Sequence, residues 1–275
     1  MKKHSIERNS KIIELFMFLD EIIKKNKELL VNDLLKEIIE IKDVNYIGHE
    51  DEIDLKETLK WLMFDHEDNQ EFNFKIKEED EEYIKKTIDE ETNNCDEFIR
   101  KKLSFFIFPV FSKFIIEKLN GIMGASTLND TILIFVNPVG EWKKSLREVI
   151  YHELAHAVSP YYDMGNLSIG EGIIFDGIAE HFREDRINGD RAPWSKALSE
   201  DEAMDLFEKI KPLLDKRDEK IYGEVFFGAG DYPLWTGYSI GYYLIGKYLK
   251  KQDKIDWKKI INTNPSEIMN EIDSY

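Results

Sequence analysis

The sequence has little cysteine: Cys95 is the only one among 275 residues. A single thiol cannot form an intramolecular disulfide, and it cannot supply a cluster of thiolate ligands for a metal ion. Any zinc site in this chain must therefore draw its ligands from histidine and carboxylate side chains.

Basic residues are also fewer than acidic ones. The chain has 38 Lys and Arg against 55 Asp and Glu, which gives a formal net charge of -17 at pH 7. Most of such a surface repels a phosphate backbone, so we expect no nucleic-acid partner.

Long apolar runs are missing as well. The first eleven residues are largely polar, and the run from Ile12 to Ile23 is interrupted by acidic residues. The run Phe105 to Phe111 is too short to cross a bilayer and contains Pro109. The sequence thus predicts a cytoplasmic protein with no signal peptide and no membrane partner.

One motif stands out in what is present: His152-Glu153-Leu154-Ala155-His156. Residues four apart on a helix lie one turn apart on the same face, so the two histidines can hold one metal ion. This is the HExxH arrangement of zinc hydrolases. The segment from Glu141 to Tyr151 contains no Pro or Gly, and Ser159-Pro160 supplies a stop, so the motif is predicted to lie late in a helix.

A catalytic zinc needs a third protein ligand and an open position for water. The segment Gly170–Phe182 predicts a second helix with Asp176 and Glu180 one turn apart on one face. One of them is expected to bind the metal, and the other to orient a histidine. Gly177 would permit close approach of this helix to a neighbour.

The remaining pattern predicts an α+β protein. Residues 1–100 are predicted to form a mainly helical N-terminal region, with apolar stripes over Ile12–Ile23 and Leu29–Ile41. The runs Leu103–Phe108 and Thr131–Val136 predict strands, and Asn120–Thr127 a loop or an edge strand. The catalytic domain would occupy residues 101–275, and the boundary near residue 100 is soft.

At these residues the chain resembles the gluzincin metallopeptidases, and more closely a bacterial family of predicted zinc-dependent proteases of unknown function. The resemblance covers about residues 105–250. It rests on Asn137-Pro138, the HExxH helix, Asp176–Phe182, Ala192-Pro193-Trp194 and Trp235–Tyr242. It implies a zincin-like catalytic domain, in which a small sheet leads into the HExxH helix and a ligand helix follows.

Aspartate stands where the resemblance leads us to expect a glutamate ligand. Either Asp176 binds zinc or Glu180 takes its place. The resemblance to thermolysin-like enzymes favours Asp176, because those enzymes share its spacing and carry an acidic residue four positions later.

The resemblance implies a zinc-dependent peptidase acting on a peptide or protein substrate. Zinc would lower the pKa of its bound water, and Glu153 would act as the general base. A further donor usually stabilises the oxyanion. Candidates are Tyr238 and Tyr242, on one face of the predicted loop and helix Asp231–Leu244, and also His181. Tyr238 is preferred, because Tyr242 is more readily explained as a core or interface aromatic. The alternative is a zinc-binding but proteolytically silent regulatory or peptide-binding protein.

Overall fold

The computed structural model describes residues 1–41, 52–65, 70–127 and 129–273. The chain divides into two compact units, Met1–Glu153 and Leu154–Tyr275. The division falls inside one continuous helix, Trp142–Ala157, which therefore belongs to both units.

The first unit mixes strands and helices. In chain order its elements are β1 (Lys2–Arg8), β2 (Lys11–Met17), β3 (Ile22–Asn26), α1 (Lys27–Glu40), α2 (Glu52–Met63), β4 (Glu71–Phe74), α3 (Glu78–Asn94), β5 (Lys102–Pro109), α4 (Lys113–Lys118), β6 (Ile122–Ala125), β7 (Thr131–Val136) and α5 (Trp142–Ala157). The second unit is helical in its described residues. It contains α6 (Ile169–Ile187), α7 (Glu200–Ile210), α8 (Glu219–Phe227), α9 (Thr236–Leu249), α10 (Trp257–Ile261) and α11 (Pro265–Asp273), with short 3-10 helices at Met164–Asn166 and Lys211–Leu213. The predicted α+β class is confirmed.

A mixed sheet organises the first unit, with the strand order β1-β2-β5-β7-β6 in the described part of the chain. The three central strands are parallel, and β1 and β6 pair antiparallel at the two edges. Central strands buried on both faces read as continuous apolar runs, which is why β5 and β7 were visible in the sequence. Both strand predictions are confirmed, and Asn120–Thr127 contains the edge strand β6.

The segment Ile12–Ile23 corrects the sequence-based assignment. Its apolar stripe predicts a helix, and that prediction is wrong, because the structure forms β2 and the start of β3 there. β2 lies between β1 and β5, and the side chains of Ile13 and Leu15 are buried. A short apolar run fits a buried strand as well as a helix, and only the neighbouring strands decide between them.

The second apolar stripe, Leu29–Ile41, is confirmed as helical. Helix α1 covers it, and α2 and α3 follow along the chain. The described part of residues 1–100 therefore holds three helices, but it also holds four strands. The predicted boundary near residue 100 falls within the first unit, between α3 and β5, and the division into a helical region and a catalytic domain stays a prediction.

Helix α3 is less solvated than its acidic sequence suggests. Glu91 is buried, and its carboxylate accepts hydrogen bonds from Arg147 Nε at 2.6 Å, from Asn94 Nδ2 at 3.2 Å and from the Tyr151 hydroxyl. Burial alone would raise the pKa of Glu91, but these hydrogen bonds hold it below its ordinary value. Burial, together with the bond to Glu91, raises the pKa of Tyr151 to about 12. Glu91 thus links α3 to α5 at Tyr151, the residue directly before the HExxH motif.

Two glycines set the packing of the second unit. A Cβ at Gly177 on α6 would lie 2.2 Å from the carbonyl oxygen of Gly241 on α9, and a Cβ at Gly241 would lie 2.2 Å from the carbonyl oxygen of Ile173. Helix backbones approach this closely only where side chains are missing. The prediction that Gly177 permits close helix approach is confirmed. This contact fixes α6 at the residue next to Asp176.

Among the described residues, no helix combines the length and the apolar character that a bilayer span requires.

Candidate metal centre

Helix α5 carries the HExxH motif near its end, as the sequence predicts. It begins at Trp142 and ends at Ala157, just before Ser159-Pro160. Leu146, Ile150 and Leu154 have no exposed surface, so the helix is held by one apolar face.

Helix α6 brings a carboxylate to this pair of histidines. It begins at a capping box, in which the side chains of Ser168 and Glu171 each accept a hydrogen bond from the other residue's backbone. One ligand atom from each of His152, His156 and Asp176 lies within 4.8 Å of the others, and all three side chains are buried. Within this group, His156 Nε2 lies 3.6 Å from Asp176 Oδ1.

This donor set fits zinc. Two imidazole nitrogens and one carboxylate oxygen are ligands that zinc prefers, and three protein ligands leave a fourth position open. Two atoms at about 2.0–2.1 Å from a tetrahedral zinc lie roughly 3.4 Å apart, close to the spacing of His156 and Asp176. Burying a carboxylate is costly unless a cation or hydrogen bonds compensate it, and a metal ion would do so for Asp176.

Glu180, the other predicted carboxylate, lies in a different environment. Its Oε2 accepts a hydrogen bond from Arg183 Nη2 at 3.2 Å, and neither side chain has exposed surface. Arg183 Nη2 also donates to the carbonyl oxygen of Asp190 at 2.9 Å and lies 3.6 Å from Glu184 Oε1. Glu180 therefore has a buried cation beside it, whereas Asp176 is the carboxylate that lies in the cluster with the two histidines. The identity of the third ligand stays a prediction.

The ion pair gives a stability prediction. Arg183→Met is expected to lower the free energy of unfolding by about 3–5 kcal/mol, because it removes the cation from a fully buried carboxylate. The double variant Arg183→Met/Glu180→Gln should recover most of that loss. Urea unfolding of the metal-free proteins measures both. If the free energy of unfolding of Arg183→Met were within about 1 kcal/mol of the parent's, the prediction would be contradicted.

An aromatic contact at His156 was not predicted from the sequence. Tyr162 stacks on the His156 ring with centroids 4.5 Å apart, and Phe175 meets Tyr162 edge-on at 5.1 Å. Stacking restricts rotation of the imidazole and so orients its nitrogens. Tyr162 lies in the loop after α5, where the sequence has no periodicity, so no signal in the sequence pointed to this contact.

A second contact missed from the sequence involves Glu153, which lies against the edge strand β6. The Ser126 hydroxyl donates to the carbonyl oxygen of Glu153 at 3.0 Å. A Cβ at Gly124 would lie 2.4 Å from Glu153 Cγ and 2.7 Å from its Oε1. The glutamate of the motif is therefore held beside a strand as well as by its own helix.

The candidate oxyanion donor, Tyr238, lies on α9. Its ring packs edge-on against Phe226 at a centroid distance of 5.4 Å. One turn further along, the carbonyl oxygen of Tyr242 accepts a hydrogen bond from His181 Nε2 at 2.8 Å, and burial lowers the pKa of His181. The catalytic role of Tyr238 stays a prediction.

Comparison with known proteins agrees with a zinc site in this chain. A model of the family described as "Predicted Zn-dependent protease (DUF2268)" matches residues 84–270, which is more than half of the chain. The chain belongs to this family. The resemblance to a bacterial family of predicted zinc-dependent proteases is confirmed.

Two relatives of this family member come from Bacillus subtilis (strain 168). The uncharacterized protein YjaZ is 28% identical over 102 residues, which cover 36% of this chain and 39% of YjaZ. The uncharacterized protein YjfC is 23% identical over 163 residues, which cover 52% of this chain and 54% of YjfC. The chain thus spans about half or less of the curated relatives that it matches. No solved structure matches it significantly.

Proposed function

We propose that this protein is a zinc-dependent peptidase of gluzincin type, with a zincin-like catalytic domain. His152, His156 and Asp176 would hold the zinc ion, and Glu153 would act as general base. The observation that carries the proposal is the buried cluster of two histidines and one aspartate, whose ligand atoms lie within 4.8 Å of one another.

Each side chain has a part in this chemistry. A bound zinc would supply Lewis acidity, which lowers the pKa of water and polarises a carbonyl group. The Glu153 carboxylate accepts a proton from the attacking water and passes it to the leaving amine. Retention of this glutamate favours an enzyme, because a purely structural zinc needs no base and fills its fourth position with protein.

The edge strand β6 supports a peptide as the substrate. An extended peptide adds to an exposed strand edge by main-chain hydrogen bonds, which do not depend on its side chains. β6 lies at an edge of the sheet in the described part of the chain, and Ser126, the residue after it, donates a hydrogen bond to the carbonyl oxygen of Glu153. A peptide bound along β6 would therefore lie beside the proposed base. The cytoplasm remains the proposed location.

The test combines metal content with hydrolysis. Protein purified with zinc supplied should contain about one zinc ion per chain and should cleave members of a peptide library. His152→Ala and His156→Ala should lose both properties, because each removes one of three ligands. A chelator should abolish cleavage by the parent, and added zinc should restore it.

Two results would contradict the proposal. Absence of zinc after expression with zinc would rule out the metal site. A stoichiometric zinc ion without cleavage of any peptide would instead identify a zinc-binding but proteolytically silent protein.

A further inference from the structure

Gly124, in the interior of β6, lies directly against the side chain of Glu153. A Cβ there would lie 2.4 Å from Glu153 Cγ, 2.7 Å from Oε1 and 2.8 Å from Cδ. Ordinary contacts of a Cβ are longer than about 3.4 Å, so a methyl group at this position overlaps the glutamate. The conflict is with the whole outer part of the Glu153 side chain, and not with one flexible end.

Backbone conformation does not explain this glycine. The glycines with positive φ are Gly121 and Gly228 among the described residues, and Gly124 is not one of them. Glycine weakens the interior of a strand and often marks a place where another group approaches closely. At Gly124 the approaching group is Glu153.

The register of β6 gives Gly124 a second property. The Asn137 N–H donates to the carbonyl oxygen of Gly121 at 2.8 Å, next to the pair Ile122↔Val136. This bond flanks the pair Ile122↔Val136, so that pair has no mutual hydrogen bonds. Pairs with and without mutual hydrogen bonds alternate along an antiparallel ladder, so Gly124↔Ile134, two residues further, also has none. The N–H and C=O groups of Gly124 therefore point away from β7, towards the open edge.

The residue that follows β6, Ser126, makes a second contact with α5. Ser126 is buried, and its hydroxyl donates to the carbonyl oxygen of Glu153. This bond holds the backbone of Glu153, whereas the space at Gly124 receives its side chain. Together they fix both parts of the glutamate against β6.

We infer that Gly124 is a positioning residue for Glu153. Its missing side chain forms a slot that sets where the carboxylate lies, and its outward main-chain groups belong to the edge on which an extended peptide would bind. The catalytic part of this inference, that Gly124 sets the position of a general base, rests on the proposed function. The steric contact itself can be tested without any substrate.

The first experiment is a double-mutant cycle on thermal unfolding of the metal-free protein. Gly124→Ala should lower Tm by about 4–10 °C, because inserting a methyl group into a filled space costs stability. In a Glu153→Ala background, which empties the slot, the same change should lower Tm by less than about 2 °C. Equal losses in the two backgrounds would overturn the inference.

A matched control is available at Gly223 on α8, where an added Cβ meets no atom within 4 Å. Gly223→Ala should leave Tm unchanged or raise it slightly, since alanine is the better helix former. If Gly124→Ala alone fails to fold, the double variant Gly124→Ala/Glu153→Ala decides. Recovery of folding supports the slot, and failure of both variants overturns it.

The second experiment measures catalysis. Gly124→Ala should lower kcat by about 10- to 100-fold, because a displacement of about 1 Å at a reacting group costs that much. Its zinc content should equal that of the parent, since none of the three ligands is changed. Full activity in Gly124→Ala would overturn the positioning role. A parent without any peptidase activity would instead refute the proposed function, and the unfolding cycle would still test the slot.

Discussion

Glu153→Gln is expected to retain one zinc ion per chain and to lower peptide hydrolysis by about 100- to 10,000-fold. Glutamine has nearly the same shape as glutamate, so it fits the space beside Gly124 and leaves the histidines in place. Its amide cannot accept the proton of the attacking water. Steady-state cleavage of a library peptide, with zinc measured on the same sample, gives the two quantities.

The matched control for this variant is Glu141→Gln. Glu141 is exposed just before α5, where it pairs with Lys144 at 2.6 Å, so the same chemical change there should alter neither zinc content nor rate. If Glu153→Gln cleaved as fast as the parent, another group would have to be the base.

Asp176→Asn and Glu180→Gln are expected to weaken zinc binding to unequal extents. Asp176 belongs to the buried cluster with the two histidines, so Asp176→Asn should lower zinc affinity by more than about 100-fold. Glu180 lies beside Arg183, so Glu180→Gln should cost about 10- to 100-fold, as expected for a residue that acts on the ligands indirectly. Competitive titration with a chromophoric chelator measures both affinities.

These amides are chosen to preserve the fold. Glutamine at position 180 can still accept a hydrogen bond from Arg183, whereas alanine would remove that acceptor from a buried cation. Circular dichroism of both variants in chelator serves as the control for folding. A larger loss of affinity in Glu180→Gln would show that the third ligand lies one turn further along α6.

Several features of this protein could be predicted because they depend on local sequence. The helix around His152 and His156 follows from residue spacing and from the absence of Pro and Gly before it. Strands β5 and β7 follow from short runs of β-branched and aromatic residues. The expectation that any zinc ion would be bound by histidine and carboxylate side chains follows from the single cysteine.

The tertiary structure decided what local patterns leave open. Ile12–Ile23 suits a helix or a strand, and pairing of β2 with β1 and β5 selects the strand. Asp176 and Glu180 share one face of α6, and their different neighbours, the two histidines for Asp176 and Arg183 for Glu180, come from the packing of distant segments.

The sequence by itself determined that Glu153 lies on the helix directly after His152, because the position of neighbouring residues on one helix is a local property. Its contacts with Gly124 and Ser126 were decided by the tertiary structure. Those residues lie 29 and 27 positions earlier, and they meet Glu153 only because β6 pairs with β7 and the chain then returns as α5. Contacts between distant segments depend on how the elements pack, and no spacing along the chain encodes them.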